Sequence, residues 1–338
     1  MNWKNIFENF KNNKILLIGD IMLDTYLIGK VERISPEAPV PVVDIHDKID
    51  KLGGAANVAL NIKELGAFPF SSSPPLSTPI ICSVIGADQH GWELKATIKN
   101  SGMETKYIKA TDTRKTTNKI RVIGNNTQMI RIDEESKEEL NDEIYERLKE
   151  NVIIAVAENK IDAIIFQDYD KGVISKKMIE YIIELSKRRN IPLFVDPKLK
   201  NFDHYKNVTI FKPNFNELKR GLKEESLDID KWEEIMPHVE KLIKEKEIDT
   251  FYTTMGNRGI LLSFKDKDKI THHHIEGEKR SVADVSGAGD TVISVATLLT
   301  INGVDKIITA RVSNIAGGLV CEKVGVVPIN KEDLLNEI

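Results

Sequence analysis

Cysteine is scarce. The 338 residues carry two, Cys82 and Cys321, each inside an apolar run (Ile80-Ile81-Cys82 and Leu319-Val320-Cys321). That excludes a disulfide framework and a cysteine-built metal site, and both thiols are expected to be buried as small hydrophobes. No apolar run approaches the length of a membrane span, and Met1-Asn-Trp-Lys-Asn-Ile has no signal-peptide pattern, so a cytoplasmic protein with no membrane partner is expected. Positive charge is not in excess. With 48 Lys and Arg against 52 Asp and Glu the net charge is −4, which argues against nucleic acid as a partner. No Gly-x-Gly-x-x-Gly follows the first apolar run, which removes the nucleotide-dependent dehydrogenases. Internal repeats and composition breaks are also missing, so residues 1–338 read as one domain, and 41% hydrophobic content suffices for its core.

The most informative stretch is Ser281-Val-Ala-Asp284-Val-Ser286-Gly287-Ala288-Gly289-Asp290-Thr291, followed by the apolar run 292–299. Small residues let the backbone turn tightly against a ligand, and the run that follows has helical length. The glycines then lie at a helix N-terminus, where unpaired N–H groups and the helix dipole favour an anion. Asp290 falls in the first helical turn. A carboxylate beside an anion cradle suits phosphoryl transfer, with Asp290 taking the proton of an attacking hydroxyl; a plain glycine turn capped by Asp is the structural alternative.

Elsewhere strands and helices alternate, as in βαβ units with a largely parallel sheet. Apolar runs end in Asp20, Asp168 and Asp196, with Asn214 just past another, and such strand ends are where ligands bind. Asp24, Lys171 and Lys198 follow closely. Gly53-Gly54 opens a helix with Asn57 one turn in. Asn214 and Glu217 share the face of a helix start, fit either for a water-coordinated Mg²⁺ near phosphates or for a plain N-cap. Gly256-Asn-Arg-Gly259 reads as a tight turn, and Ala316-Gly317-Gly318, beside Asn314, as either a nucleotide-accepting or a close-packing helix surface. The three prolines of Arg33-Ile-Ser-Pro-Glu-Ala-Pro-Val-Pro-Val-Val43 predict a projecting edge segment, and Gly124-Asn-Asn126 a hairpin turn. Lys119 and Arg121, on one face of a strand, are expected on a solvated surface, with a phosphate contact as the alternative, His272-His273-His274 on an exposed strand, and Ser136-Lys-Glu-Glu139 as a capping box opening a helix. Ser71–Pro79 predicts an extended, mobile loop.

Gly53-Gly54-Ala-Ala-Asn57 and Asp284-Val-Ser-Gly287-Ala288-Gly289-Asp290, in that order and with Asn214-Phe-Asn-Glu217 between them, resemble the two signatures of the ribokinase (PfkB) family of sugar kinases. Val285 departs from the Thr usual there, and the Ser71–Pro79 loop is longer than the family's. Gly19-Asp20-Ile-Met-Leu-Asp24, the proline-rich string, Gln128-Met-Ile-Arg131-Ile-Asp133-Glu134, Asp168-Tyr-Asp-Lys171-Gly172 and Asp196-Pro-Lys198 are most similar to the branch that phosphorylates heptose 7-phosphate. The resemblance implies a ribokinase-like three-layer α/β/α sandwich with a mostly parallel sheet. It also implies a small β lid, over about 21–49 and 104–132, through which two subunits pair. ATP and Mg²⁺ would serve the reaction, with a monovalent cation as a further option. Asp290 would be the base, and Gly287, Ala288 and Gly289 the anion hole. Asp20, Asp24, Gly53, Gly54, Asn57, Arg131, Lys171, Asp196 and Lys198 would face the sugar. Asn214, Glu217, Thr254, Gly256, Gly259, Asp284 and Asn314 would face the nucleotide, the first two also the metal. No His-x-Gly-His nucleotidyltransferase motif is present, so a separate nucleotidyltransferase is expected. A kinase of another sugar phosphate, such as a fructose phosphate, and an inactive sugar-binding regulator are the competing expectations.

Overall fold

The computed structural model describes residues 1–66 and 79–338. Most of the Ser71–Pro79 loop therefore lies outside the described residues. In chain order the elements are α1 (Trp3–Asn9), β1 (Ile15–Gly19), β2 (Ile21–Ile34), β3 (Pro41–Gly54), α2 (Ala55–Gly66), β4 (Ile80–Gly86), α3 (Gln89–Asn100), β5 (Ile108–Thr111), β6 (Thr117–Gly124) and β7 (Thr127–Glu134). There follow α4 (Asp142–Glu158), β8 (Ala163–Gln167), α5 (Lys176–Arg189), β9 (Leu193–Asp196), β10 (Ile210–Phe211), α6 (Phe215–Leu222), α7 (Met236–Glu245), β11 (Thr250–Thr254), β12 (Ile260–Asp266), β13 (Lys269–Ile275), α8 (Ala288–Ile301), α9 (Lys306–Cys321) and α10 (Lys331–Glu337).

Continuous apolar runs such as Ile15–Gly19 and Ala163–Gln167 are buried along their whole length, as strands covered on both faces must be. They form a nine-stranded sheet ordered β13-β12-β11-β10-β9-β8-β1-β4-β5. It is parallel from β11 to β5, and the pairings β11–β12 and β12–β13 at its other end are antiparallel. One face packs against α1, α2, α3, α8 and α9, and the other against α4 to α7, giving three layers. Local chemistry sets the helix ends. Asn141 caps α4, with Asp142 and Glu143 in its first turn; Ser175 caps α5, whose last turn carries Lys187, Arg188 and Arg189 against the dipole. The predicted Ser136 capping box is therefore corrected. Asn141 Oδ1 accepts from Ile144 N–H and caps the helix one residue before it starts, nearer to the apolar stripe of Ile144 and Leu148.

A second sheet, ordered β3-β2-β6-β7, stands at the edge of the first. The predicted lid boundaries shift. Residues 108–111 are the outer strand of the large sheet, and the second hairpin of the small sheet runs from Thr117 to Glu134. The proline-rich string is the tip where two 14-residue strands turn, Ile34 pairing with Pro41, and β3 is an edge strand where proline's missing N–H does least harm. Asn125 and Asn126, both at positive φ, make the predicted turn between β6 and β7. His272, His273 and His274 are half-buried rather than exposed. His272 meets Ser263 and Glu240, His273 stacks on Phe264, and His274 reaches the Arg258 carbonyl. Of the two thiols, Cys82 is buried and Cys321 half-buried.

Candidate active site

Four strand ends of the large sheet and the N-terminus of α8 converge on a cleft of about 1010 Å³. Gly287 is the N-cap of α8 at φ 84°, where a side chain would be strained, and a Cβ there would lie 2.9 Å from Asn57 Nδ2. The next amides have uneven fates. Ala288 N–H turns back to the Val285 carbonyl at 3.4 Å, whereas Gly289 N–H finds no acceptor among the described residues. Asp290, at the third helical position, is buried and lines the cleft.

Three donors fix that carboxylate. Asn57 Nδ2 donates to Oδ2 at 2.8 Å; Gln167 Nε2 and the Tyr169 hydroxyl donate to Oδ1 at 3.0 and 2.7 Å. Burial dominates its titration and pushes the carboxyl up to about 6. Asp196 adds to the rise, while Asn57, Tyr169 and Lys212 oppose it. Gln167 Nε2 also donates to Asp196 Oδ2 at 3.0 Å, so its amide turns NH₂ toward two carboxylates and leaves Oε1 without a partner. Asp196 Oδ2 in turn holds Lys212 Nζ at 3.0 Å, a fully buried ion pair directly beneath Gly289. Cradle, carboxylate and buried ammonium thus occupy one corner of the cleft.

Other predicted residues on the cleft wall are Asn214, Glu217, Thr254, Gly256, Gly259, Asn314 and Lys198. Asn214 and Glu217 form a reciprocal capping box, Asn214 Oδ1 accepting from Glu217 N–H and Glu217 Oε2 from Asn214 N–H, each at 2.8 Å. The remaining oxygen of Glu217 is paired with Lys198. The N-cap alternative is thus present, and the expected contact with Mg²⁺ through water is left as the way this pair could meet an ion. Neither side chain offers a bare oxygen set to Mg²⁺, and an ion here would meet them through water or displace Lys198. Burial works against the Lys198 ammonium, but Asp196, Glu217 and Asp290 together hold its pKa above the ordinary value. Asn314 Nδ2 is tied to the Glu276 carbonyl at 2.9 Å.

Several predicted sugar contacts are corrected. Asp20 spends both oxygens on backbone N–H groups of Tyr169, Lys171 and Val173, at 2.9 to 3.1 Å, and so shapes the loop after β8 instead of facing the cleft. Lys171 pairs with Glu135 at 2.7 Å. Arg131 is exposed on β7 and bound to Asp133. Asp24 is buried against Arg121. Asp284 accepts from Ser286 and Gly325 N–H; burial would raise its pKa, but those bonds bring it below the usual range, and it braces two loops. Gly53 and Gly54 end β3 where it enters α2; Gly54 has φ 59° and packs on the Asp20 carbonyl. Lys119 and Arg121 are not solvated. With Asp24 and Tyr26 they share one face of the small sheet, and Lys119 Nζ stands 5.2 Å from the centroid of the Tyr169 ring. Sequence reasoning missed roles for Gln167, Tyr169 and Lys212. A polar residue closing an apolar strand, as Gln167 and Lys212 do, was the available signal.

Fold and site together define a phosphotransferase acting on an alcohol group. Residues 12–333 match the pfkB family of carbohydrate kinases, and the chain belongs to that family. It is similar to the bifunctional protein HldE of Methylobacillus flagellatus, 37% identical over 324 residues, which cover 96% of this chain and 63% of that one. The HldE of Koribacter versatilis is 33% identical over 333 residues, covering 98% of this chain and 64% of that protein. The chain thus spans just under two thirds of the length of these relatives. Among solved structures, the tetrameric inhibited form of Escherichia coli phosphofructokinase-2 superimposes with a TM-score of 0.73 at 16% identity, covering 96% of this chain and 97% of that one. Arabidopsis thaliana ribokinase complexed with ribose and ATP gives 0.67 at 17% identity, with the same coverage. At those identities the likeness is one of fold. Among the described residues no helix is long and apolar enough to cross a membrane.

Proposed function

We propose that the chain transfers the terminal phosphoryl group of ATP to the anomeric hydroxyl of D-glycero-D-manno-heptose 7-phosphate, giving the 1,7-bisphosphate used for ADP-heptose and the lipopolysaccharide core. The observation that carries the kinase reading is the Asp290 carboxylate, held at the start of α8 beside the unpaired Gly289 amide and above Lys212. Asp290 takes the hydroxyl proton as the sugar oxygen bonds to phosphorus and the bond to the β-phosphate oxygen breaks, releasing ADP. The helix-start amides and Lys212 stabilise charge on the moving group. Mg²⁺, when bound, neutralises phosphate charge; no residue in this corner is reserved for it. The heptose reading is supported by the resemblance of the proline-rich string and by the HldE relatives.

The second phosphate of the sugar needs a cation, and the cations near the cleft are mostly engaged. Lys171, Lys198, Lys212 and Arg121 each hold a carboxylate, whereas Lys119 rests on the Tyr169 ring with none in ion-pair range among the described residues. Lys119 receives the 7-phosphate in this reading. Lys119→Met is expected to raise KM for heptose 7-phosphate at least tenfold, with KM for ATP within twofold of wild type; equal changes in both would remove Lys119 from sugar recognition. The reading as a whole is tested by ADP release with ATP and Mg²⁺ on heptose 7-phosphate, ribose, fructose and fructose 6-phosphate. Preference for heptose 7-phosphate with a bisphosphate product upholds it. Activity on another sugar alone keeps the kinase and discards the heptose, and silence on all four discards the kinase.

The small sheet acts as a lid and as the contact between two copies. Its outward face carries Leu27, Ile120, Val122, Ile130 and Ile132 in register across β2, β6 and β7, with Ile130 and Ile132 about half exposed. Ile130→Asp with Ile132→Asp is expected to halve the mass measured by light scattering. A wild-type protein that already runs as a monomer would exclude the dimer.

A further inference from the structure

The contacts of Asp290 leave one side chain without an assigned part. Tyr169 sits on the loop that Asp20 locks through three backbone bonds, so its placement is fixed by the fold. Its hydroxyl is 2.7 Å from Asp290 Oδ1, and its ring has Lys119 Nζ and Lys198 Nζ each 5.2 Å from the centroid. Lys119 comes from β6 of the small sheet and Lys198 from the loop after β9, so one ring supports cations from both sides of the cleft. We propose that Tyr169 is the positioning residue of the reaction, fixing the Asp290 carboxylate so that Oδ2 takes the proton and tying the lid cation Lys119 to the base. This rests on the reading of Asp290 as base.

The choice of oxygen follows from counting acceptors. Oδ1 already accepts from Gln167 and Tyr169, which uses both its lone pairs, while among the described residues Oδ2 accepts only from Asn57 and keeps one open. A sugar hydroxyl can therefore approach Oδ2 without displacing a protein donor. Burial and the Asp290 charge keep the Tyr169 phenol well above its ordinary pKa, so it stays a donor throughout the working range. By donating to the ionised carboxylate, Tyr169 lowers the pKa of Asp290.

Tyr169→Phe keeps the ring and removes the donor. Its kcat is expected to fall roughly tenfold or more, with KM for the sugar within twofold and the acid limb of the kcat profile moved to higher pH by about half a unit or more. Tyr169→Leu removes the ring as well and is expected to add a rise of about fivefold or more in KM for the phosphorylated sugar, through Lys119. Asp290→Asn is measured in parallel. If it is inactive while Tyr169→Phe keeps wild-type kcat and an unmoved acid limb, the positioning role is overturned and the base stands. If Tyr169→Leu gives no larger KM than Tyr169→Phe, the tie to Lys119 is overturned. If Asp290→Asn turns over normally, the base reading falls, and this inference with it. A moved acid limb in Tyr169→Phe is the result that loose packing alone would not produce.

Discussion

Asp290→Asn is expected to lower kcat by about 10²- to 10⁴-fold, the range a positioned general base supplies, while nucleotide binding stays within a few fold of wild type. The pH dependence has a definite sign. A base works only when deprotonated, and burial sets this carboxyl at about 6, so wild-type kcat should fall as pH drops through 6, by about tenfold per unit below it. The residual rate of the variant should show no such limb. Stability moves the other way. The folded pKa lies above the ordinary 3.8, so this group's contribution is fully present below pH 3.8 and is lost as pH rises through 6. The rise of about two units corresponds to roughly 3 kcal/mol, an upper bound on what neutral Asn recovers at pH 7. Asn57 offsets part of it, since its NH₂ would then face another NH₂. Kinetics and calorimetry on the same sample check both halves. A variant that is inactive and also melts well below wild type would point to a damaged fold instead of a missing base.

The second large effect is expected at Lys212. Its ammonium is buried against Asp196 at 3.0 Å, and Lys212→Met leaves Asp196 without its cation in the same desolvated corner. Removing one partner of a buried ion pair costs about 3–5 kcal/mol, because the charge left behind is uncompensated. The urea midpoint should fall accordingly. Lys212→Met with Asp196→Leu removes both charges and should recover most of that loss, since well-packed apolar replacements of buried pairs are often near neutral. Activity should not recover with it. The double variant lacks the cation under Gly289, and a loss of about 10²-fold or more in kcat should remain. Recovery of turnover along with stability would show that Lys212 serves only the fold.

What the sequence revealed was the part written in short-range chemistry. Glycines before an apolar run, a carboxylate in the first turn, and apolar runs ending in acids locate the cradle, Asp290 and the sheet edge, because each depends on neighbours a few residues away. Partners brought together by topology could not be read. Asp20 and Asp196 look alike as acids closing apolar runs, yet one binds three backbone N–H groups and the other an ammonium. Which donors reach a carboxylate depends on the path of a loop 150 residues away in the chain. Tyr169 was invisible as a site residue for the same reason, since nothing local distinguishes it from an ordinary turn after a strand, and the one local sign of Gln167, a polar residue closing an apolar strand, does not say which carboxylates it meets. Lys119 and Arg121 were misread because a strand of the small sheet, short and partly polar, looks like a surface strand until its face is known to turn inward toward Tyr26 and Tyr169. Ser136 had the right letters for a cap, but a competing Asn stood closer to the apolar stripe.

The anchoring of the small sheet bears on the order in which the molecule is made. Tyr26 on β2 accepts a hydrogen bond from Val326 N–H at 3.1 Å, and Lys51 on β3 reaches the Val324 carbonyl, so the root of that sheet is fastened to a segment 300 residues downstream. During synthesis at about 5–20 residues per second, the first strands wait on the order of 15–60 s for their fastening to leave the ribosome. Asp290 meets Asn57 across a similar gap of 233 residues. A nascent chain can thus bury much of the face under α4 to α7 before it has a working cleft, and catalytic competence waits for the segment from Gly287 to Val326.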